Sequence, residues 1–223
     1  DRTLVQDHNL TISGGNDKSD FYISGRLYDF GGIYNFNPDK YRSYNLRGKA
    51  SLKAFDWLMV SNNMEFSSNT YHMPYTASGR SAGVQRYIEV SAIPTMPMYN
   101  PDGTNTRGNA YTLAGFVSGN NYQDNDRNLF RNTIGFKTNF FNNSFRIIGD
   151  YTFRYDNRDF FYKRVKESYY QKANAAAPSY LGDLNGTIYE WMGHTMYTAT
   201  NLYAEYEKTF AQLHDIKVMG GWN

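Results

Sequence analysis

The sequence predicts an all-β chain and, within that class, a transmembrane antiparallel up-and-down β-barrel. Three observations carry the prediction. Apolar and polar residues alternate with period two through several long segments, the pattern of strands with one wet face. The connections between those segments run short, long, short, very long, short, long, short, as in barrels with tight turns on one side of a membrane and long loops on the other. Aromatic residues make up 17% of the chain and gather beside the short turns, as in Phe55 and Trp57, Phe140, Phe141 and Phe145, and Tyr206 and Phe210. An interfacial girdle would sit there.

The elements follow in order. Residues 5–13 alternate weakly, with Leu10 and Ile12 against Asn9, Thr11 and Ser13. The turn cluster Gly14-Gly15-Asn16-Asp17-Lys18 ends them. Phe21, Ile23, Gly25 and Leu27 then oppose Tyr22, Ser24, Arg26 and Tyr28. Residues 29–42, with Gly31-Gly32 and Asn37-Pro38 and no period, read as the first long outer loop. Tyr44, Leu46, Gly48, Ala50 and Leu52 alternate with Asn45, Arg47, Lys49, Ser51 and Lys53 in the cleanest amphipathic strand. A three-residue turn at Ala54-Phe55-Asp56 is expected to pair Leu52 with Leu58, Leu46 with Met64 and Tyr44 with Phe66, keeping apolar with apolar.

Residues 67–125 read as a second, very long loop. Residues 77–92 are expected to hold a short helix, which Pro94, Pro97 and Asn100-Pro101-Asp102-Gly103 then interrupt; loops of this size are usually functional. The hairpin 126–156 follows. Asn142-Asn143 tolerate positive φ and form its tight turn, so that Phe140 faces Phe145 and Ile134 faces Tyr151. A third outer loop is placed near 157–187, with the strand continuing into it through Phe160, Tyr162 and Tyr169-Tyr170, past any membrane. Residues 187–207 return as a strand in which Leu202, Ala204 and Tyr206 oppose Asn201, Tyr203 and Glu205. After a turn at 210–213, Ile216, Val218, Gly220 and Trp222 alternate with Lys217, Met219 and Gly221. The 223 residues form one barrel segment of about eight strands.

Composition bounds the alternatives. A net charge of +2 favours no particular charged partner, and nucleic acid is not implied. The absence of cysteine removes disulfides and thiolate metal sites. Mean hydropathy is −0.69, and no apolar run is long enough for a membrane helix. Barrel strands only need to alternate, so a barrel is not excluded. A soluble β-sandwich or lectin would turn the same alternation toward a core, but has no reason to gather every long loop at one end. The chain opens at Asp1 beside strand-like sequence and closes inside an alternating segment, which reads as part of a longer protein.

Motifs for chemistry mostly dissolve. Gly79-Arg80-Ser81-Ala82-Gly83 fits G-x-S-x-G, but that elbow needs a strand before it, and residues 72–77 contain Pro74. His8, His72, His194 and His214 have no metal-ligand spacing and read as lone exposed or turn histidines. Asp124 and Asp126 are half of a calcium loop without its Gly and Glu, and read as solvated loop. No catalytic, cofactor or metal site is expected, and no enzyme activity. What remains is a pore surface. Arg26, Arg47, Lys49, Arg131, Lys137, Arg146, Asp150, Arg154, Glu205 and Lys217 share the polar parity of their strands and would line a water-filled interior. Tyr75, Tyr87, Tyr99, Tyr111 and Tyr122 in the outer loops, with Trp191, are candidates for contact with a substrate or a lid.

Three stretches carry a family resemblance. NLTISGGNDK at 9–18 leads into FYISGRLY at 21–28 and Gly31-Gly32; IPTMPMYNPDG occupies 93–103; and NLYAEYEKTF at 201–210 precedes His214-Asp215. In this order they resemble the barrel of SusC/RagA-type TonB-dependent outer-membrane transporters of Bacteroidetes. The resemblance implies a 22-stranded barrel with an N-terminal plug. The plug, the TonB-contacting region and the C-terminal strand have no counterpart in these residues. It further implies import of an oligosaccharide or peptide nutrient, a SusD-like surface lipoprotein over the long loops, TonB as energy source, and outer-membrane lipid around the wall. In such an envelope protein the acceptor triplets at Asn9, Asn142 and Asn185 would carry no glycan. A small complete barrel acting as an adhesin and a soluble carbohydrate-binding sandwich are the competing expectations.

Overall fold

The computed structural model describes residues 3–75, 89, 95–180, 186–211 and 213–223. Apart from Glu89, the helix expected at 77–92 lies outside the described residues, as do the Gly79–Gly83 motif and Tyr87. One sheet dominates, built from β1 (Val5–Gly15), β2 (Ser19–Phe30), β3 (Lys40–Phe55), β4 (Leu58–Pro74), β5 (Tyr122–Phe140), β6 (Phe145–Arg164), β9 (Thr187–Phe210) and β10 (His214–Trp222). Two short helices, α1 (Arg107–Thr112) and α2 (Ala114–Ser118), precede β5, and a small ribbon of β7 (Ser168–Tyr169) and β8 (Ser179–Tyr180) lies between β6 and β9. The order β1-β2-β3-β4-β5-β6-β9-β10 follows the chain, and every pairing is antiparallel. The chain thus runs up and down. β1 and β10 are the two edges, and the sheet is not closed.

The β5–β6 hairpin has the register its alternation predicts: Phe140 opposes Phe145 and Ile134 opposes Tyr151. Its turn is closed by the Ser144 N–H donating to the Phe141 carbonyl at 3.1 Å. Phe141, Asn142 and Asn143 have φ of 52°, 55° and 69°, a left-handed run that the two asparagines accommodate readily. The β3–β4 hairpin departs from expectation by two residues. Leu52 pairs with Val60, Leu46 with Phe66 and Tyr44 with Ser68, because the turn lies at Asp56-Trp57 and not at Ala54-Phe55-Asp56, which moves the pairing by three, and a one-residue shift between Lys53 and Phe55 takes one back. A bulge adds a residue to one strand. The slip is even, so no side chain changes face.

The strands also outrun their apolar pattern. β4 continues to Pro74, β5 begins at Tyr122 and β6 reaches Arg164, so the outer connections are shorter than the expected loops near 67–125 and 157–187. The strand expected to carry on to Tyr169-Tyr170 instead stops at Arg164, and Tyr169 joins the separate ribbon. Beyond Phe66, Phe130 and Tyr155 the outer-face pairs become Ser68 with Asn128, Asn128 with Asn157, and Asp126 with Asp159. With both faces polar, period-two contrast vanishes while the backbone ladder persists.

Below that level one face is apolar. From Phe130 to Phe140 it spans about 33 Å along β5, or about 25 Å across a bilayer at a typical barrel tilt of about 40°. Its lower margin is a row of rings: Phe55 stacks on Trp57 at 5.6 Å, Trp57 on Phe140 at 5.7 Å, and Phe140 on Phe145 at 6.4 Å, with Tyr206 opposite Phe145. The face is uncovered: Leu10, Leu46, Ile134 and Val218 are all exposed. The buried apolar residues, Ala110, Ala114, Phe116 and Tyr169, lie instead among the outer connections. No helix among the described residues is long and apolar enough to cross a membrane, which leaves crossing by strands open.

Candidate functional site

The opposite face is a ladder of charge. Register places Arg26, Arg47, Lys49, Arg131, Lys137, Arg146, Asp150, Arg154, Glu205 and Lys217 together on it. Arg26 donates through Nε and Nη2 to Asp7 at 2.9 and 2.7 Å, and Arg131 donates to Glu65. Glu205, buried, accepts from Arg146 at 2.6 Å and pairs with Lys217 at 2.9 Å, while Arg146 also reaches Glu207. Asp150 accepts from the Asn201 amide at 2.9 Å. Arg47 opposes Glu65 across β3–β4, Lys49 opposes Asn63, and Lys137 opposes Met59.

Sequence reasoning left out Asp7, Glu65 and Glu207, the acids paired with Arg26, Arg131 and Arg146, and the cluster of Arg127, Asp156 and Arg158. Asp156 is buried, and Arg127 donates to both its oxygens at 2.9 and 2.6 Å. Arg158 lies on the far side at 3.6 Å and Arg154 at 3.7 Å. Arg127, Asp156 and Arg158 fall at the outer margin of the expected hairpin 126–156. The alternation Arg154-x-Asp156-x-Arg158 keeps the polar parity of β6 and was the signal available.

Above the arginines the same face turns aromatic. Tyr75 stacks on Tyr162 at 6.0 Å, Tyr162 on Tyr189 at 5.3 Å, and Phe160 meets Tyr162 and Tyr189 edge-on at 6.0 Å each. Trp191 opposes Phe160 across β6–β9. Of the six aromatic candidates, Tyr75 and Trp191 therefore share this surface. Tyr122 is on the other face, between His72 at 5.4 Å and Phe161 at 5.7 Å, with Lys163 over its ring. Tyr99 and Tyr111 belong to the outer connections, and Tyr87 lies outside the described residues. His72 is not a lone histidine: its Nδ1 is 2.6 Å from Asp124. Asp124 and Asp126 are paired strand residues of β5, not a solvated loop, because the ladder extends past the apolar band.

The outer connections interlock into a cap. Tyr75 N–H donates to Asn121 O at 2.8 Å, and the buried Asn121 side chain accepts from Val165 N–H at 2.7 Å. Tyr170 N–H donates to Asn105 O at 2.9 Å, and Asn174 N–H to Asp102 at 2.6 Å. The β2–β3 connection joins through Tyr34, edge-on to Phe116 at 5.1 Å. A wide-mouthed pocket of about 710 Å³ opens among them, lined by Met96, Asn100, Arg107, Tyr111, Tyr169 and Tyr170 among others. Hydrogen bonds from the Thr104 hydroxyl first, then from the backbone N–H groups of Asn174 and Thr104, hold the Asp102 carboxyl below the ordinary range. Burial pushes Glu167 up, against a hydrogen bond from Ser118. This chemistry suits binding: aromatic faces, amides and guanidinium groups beside a polar sheet face. No protein-family model matches the chain, and no curated protein is significantly similar to it.

Proposed function

We propose that the chain forms part of the wall and outer cap of a β-barrel transporter of the outer membrane, of the SusC/RagA type, importing an oligosaccharide or peptide nutrient. The observation that carries this reading is the division of a single sheet into two unlike faces. One bears an uncovered apolar band about 33 Å long on β5, which at a barrel's strand tilt projects to about 25 Å, the height of a lipid-facing belt, bounded below by the Phe55–Trp57–Phe140–Phe145 row. The other bears continuous charge from Asp7 to Lys217. A soluble sandwich would bury that band under a second layer.

Further strands continue the sheet at β1 and β10 in this reading, since open edges in lipid leave backbone groups unpaired at several kcal/mol each. The family resemblance supplies the rest of the proposal: a plug within a 22-stranded wall, TonB pulling on it, and a SusD-like lipoprotein closing over the cap. Full-length protein from outer-membrane fractions should require detergent for extraction and migrate faster unboiled than boiled. Cells lacking it should lose uptake of one oligosaccharide or peptide class, and TonB depletion should give the same loss. Extraction without detergent and no gel shift would overturn the barrel; unchanged uptake of every class would overturn the transport role.

A further inference from the structure

The charge on the polar face is not balanced at its outer end. In three successive rows β5 and β6 set Arg131 beside Arg154, Leu129 beside Asp156, and Arg127 beside Arg158. Glu65 takes Arg131, and Arg127 occupies both oxygens of Asp156. Arg154 and Arg158 approach Asp156 only to 3.7 and 3.6 Å, beyond hydrogen-bonding range. The Nε of Arg154 is buried without a hydrogen-bond partner among the described residues, while 40% of the Arg154 side chain and 56% of Arg158 remain exposed. Two guanidinium groups thus flank, as long ion pairs, a carboxylate whose two oxygens a third already hydrogen-bonds, and each keeps part of its donor fork exposed to an incoming carboxylate or sulfate.

A flat apolar surface lies beside them. Gly193 opposes Arg158 across β6–β9. A Cβ at that glycine would stand 2.6 Å from the Trp191 ring, so the missing side chain lets the indole lie over the position next to Arg158. Trp191 is 47% exposed. An indole face covers the C–H face of a sugar ring, and the strand backbones here are spent on the ladder, leaving little for a peptide main chain to bond.

We propose that this place binds an anionic oligosaccharide, with its carboxylate or sulfate on Arg154 and Arg158 and the adjoining ring on Trp191. The inference rests on the transporter reading and names the substrate class. The test is calorimetric titration of the full-length detergent-solubilised protein with four probes: an oligogalacturonate, a sulfated galactan oligosaccharide, a neutral galactan oligosaccharide of equal length, and a glutamate-rich peptide. The first two separate carboxylate from sulfate. At least one should bind about 10-fold or more tighter than the neutral sugar and weaken as salt rises from about 50 to about 500 mM. The Arg154→Gln/Arg158→Gln double variant should lose about 10- to 100-fold and Trp191→Ala about 10-fold, each retaining the heat-dependent gel shift. If the double variant loses the shift, Arg158→Gln alone should still show weaker binding and a shallower salt dependence. Equal binding of the neutral sugar, tighter binding of the peptide, no binding of either anionic sugar, or unaltered binding by folded arginine variants would overturn the inference. A normal shift with any of those results leaves the barrel intact; a parent protein without the shift defeats the transporter reading and the inference together.

Discussion

At the scale of single residues, the apolar face contains two amides that pair with each other. The Asn62 amide donates to the Asn132 side-chain oxygen at 2.7 Å, and both sit among apolar neighbours, with Ile134 and Met64 as their cross-strand partners. If this face meets lipid, as proposed, neither has water to fall back on. Asn132→Leu alone should cost about 1–2 kcal/mol and the Asn62→Leu/Asn132→Leu pair much less, read from urea midpoints of the gel-shifted band; additive losses would show that the amides do not need each other. In the cap, Asp102 ties two connections together. Its folded pKa is depressed, so the tie is complete above the ordinary aspartate value of about 4 and is lost as pH falls through the lower folded value. Glu167, raised by burial, has the opposite sign: its contribution is complete below the ordinary glutamate range and lost as pH rises through the folded value. Asp102→Asn should speed limited proteolysis of the cap at pH 7, with the gap from the parent closing at low pH. Apart from the bonds of Asp102 with Thr104, two residues on, none of these contacts was legible in the sequence, because each joins positions that no local period connects.

At the scale of elements, legibility followed contrast. The β5–β6 register could be read because Phe and Ile alternate with Arg, Thr and Lys up to a turn whose two asparagines accept positive φ. The β3–β4 register could not, since nothing in residues 53–57 announces a turn at Asp56-Trp57 followed by a bulge, although the two-residue slip preserved both faces. Where polar residues occupy both faces, as from Asp156 to Asp159, alternation carries no contrast: the strand was expected to run on through Phe160 and Tyr162, but Asp156 with its arginines was overlooked. The face assignment can be tested within β5. Ile134, exposed near the middle of the apolar band, should not tolerate charge: Ile134→Arg is expected to cost about 2–4 kcal/mol at the midplane of a bilayer. Arg131→Ala, on the polar face beside Glu65, should still assemble. Membrane integration of both variants, scored by the gel shift, checks this; reversed outcomes would exchange the faces.

At the scale of the whole molecule, one sheet carries a lipid-compatible band, an aromatic margin and a charged wall, with a cap of interlocked connections beyond the band. The up-and-down order and the two faces follow from alternation and connection length, which the sequence displays. The cap does not, because its geometry depends on hydrogen bonds such as those of Asn121 and Asp102. The central claim is that the two faces of β5 meet lipid and water. These 223 residues contain no cysteine, so single cysteines can be introduced one at a time at positions 130–138 of the full-length protein, spin-labelled and reconstituted into bilayers. Accessibility to dissolved oxygen should peak at 130, 132, 134, 136 and 138, and accessibility to a water-soluble nickel chelate at 131, 133, 135 and 137, with opposite phase and period two. Oxygen and nickel accessibility rising and falling in phase, with every exposed position open to water, would contradict the account.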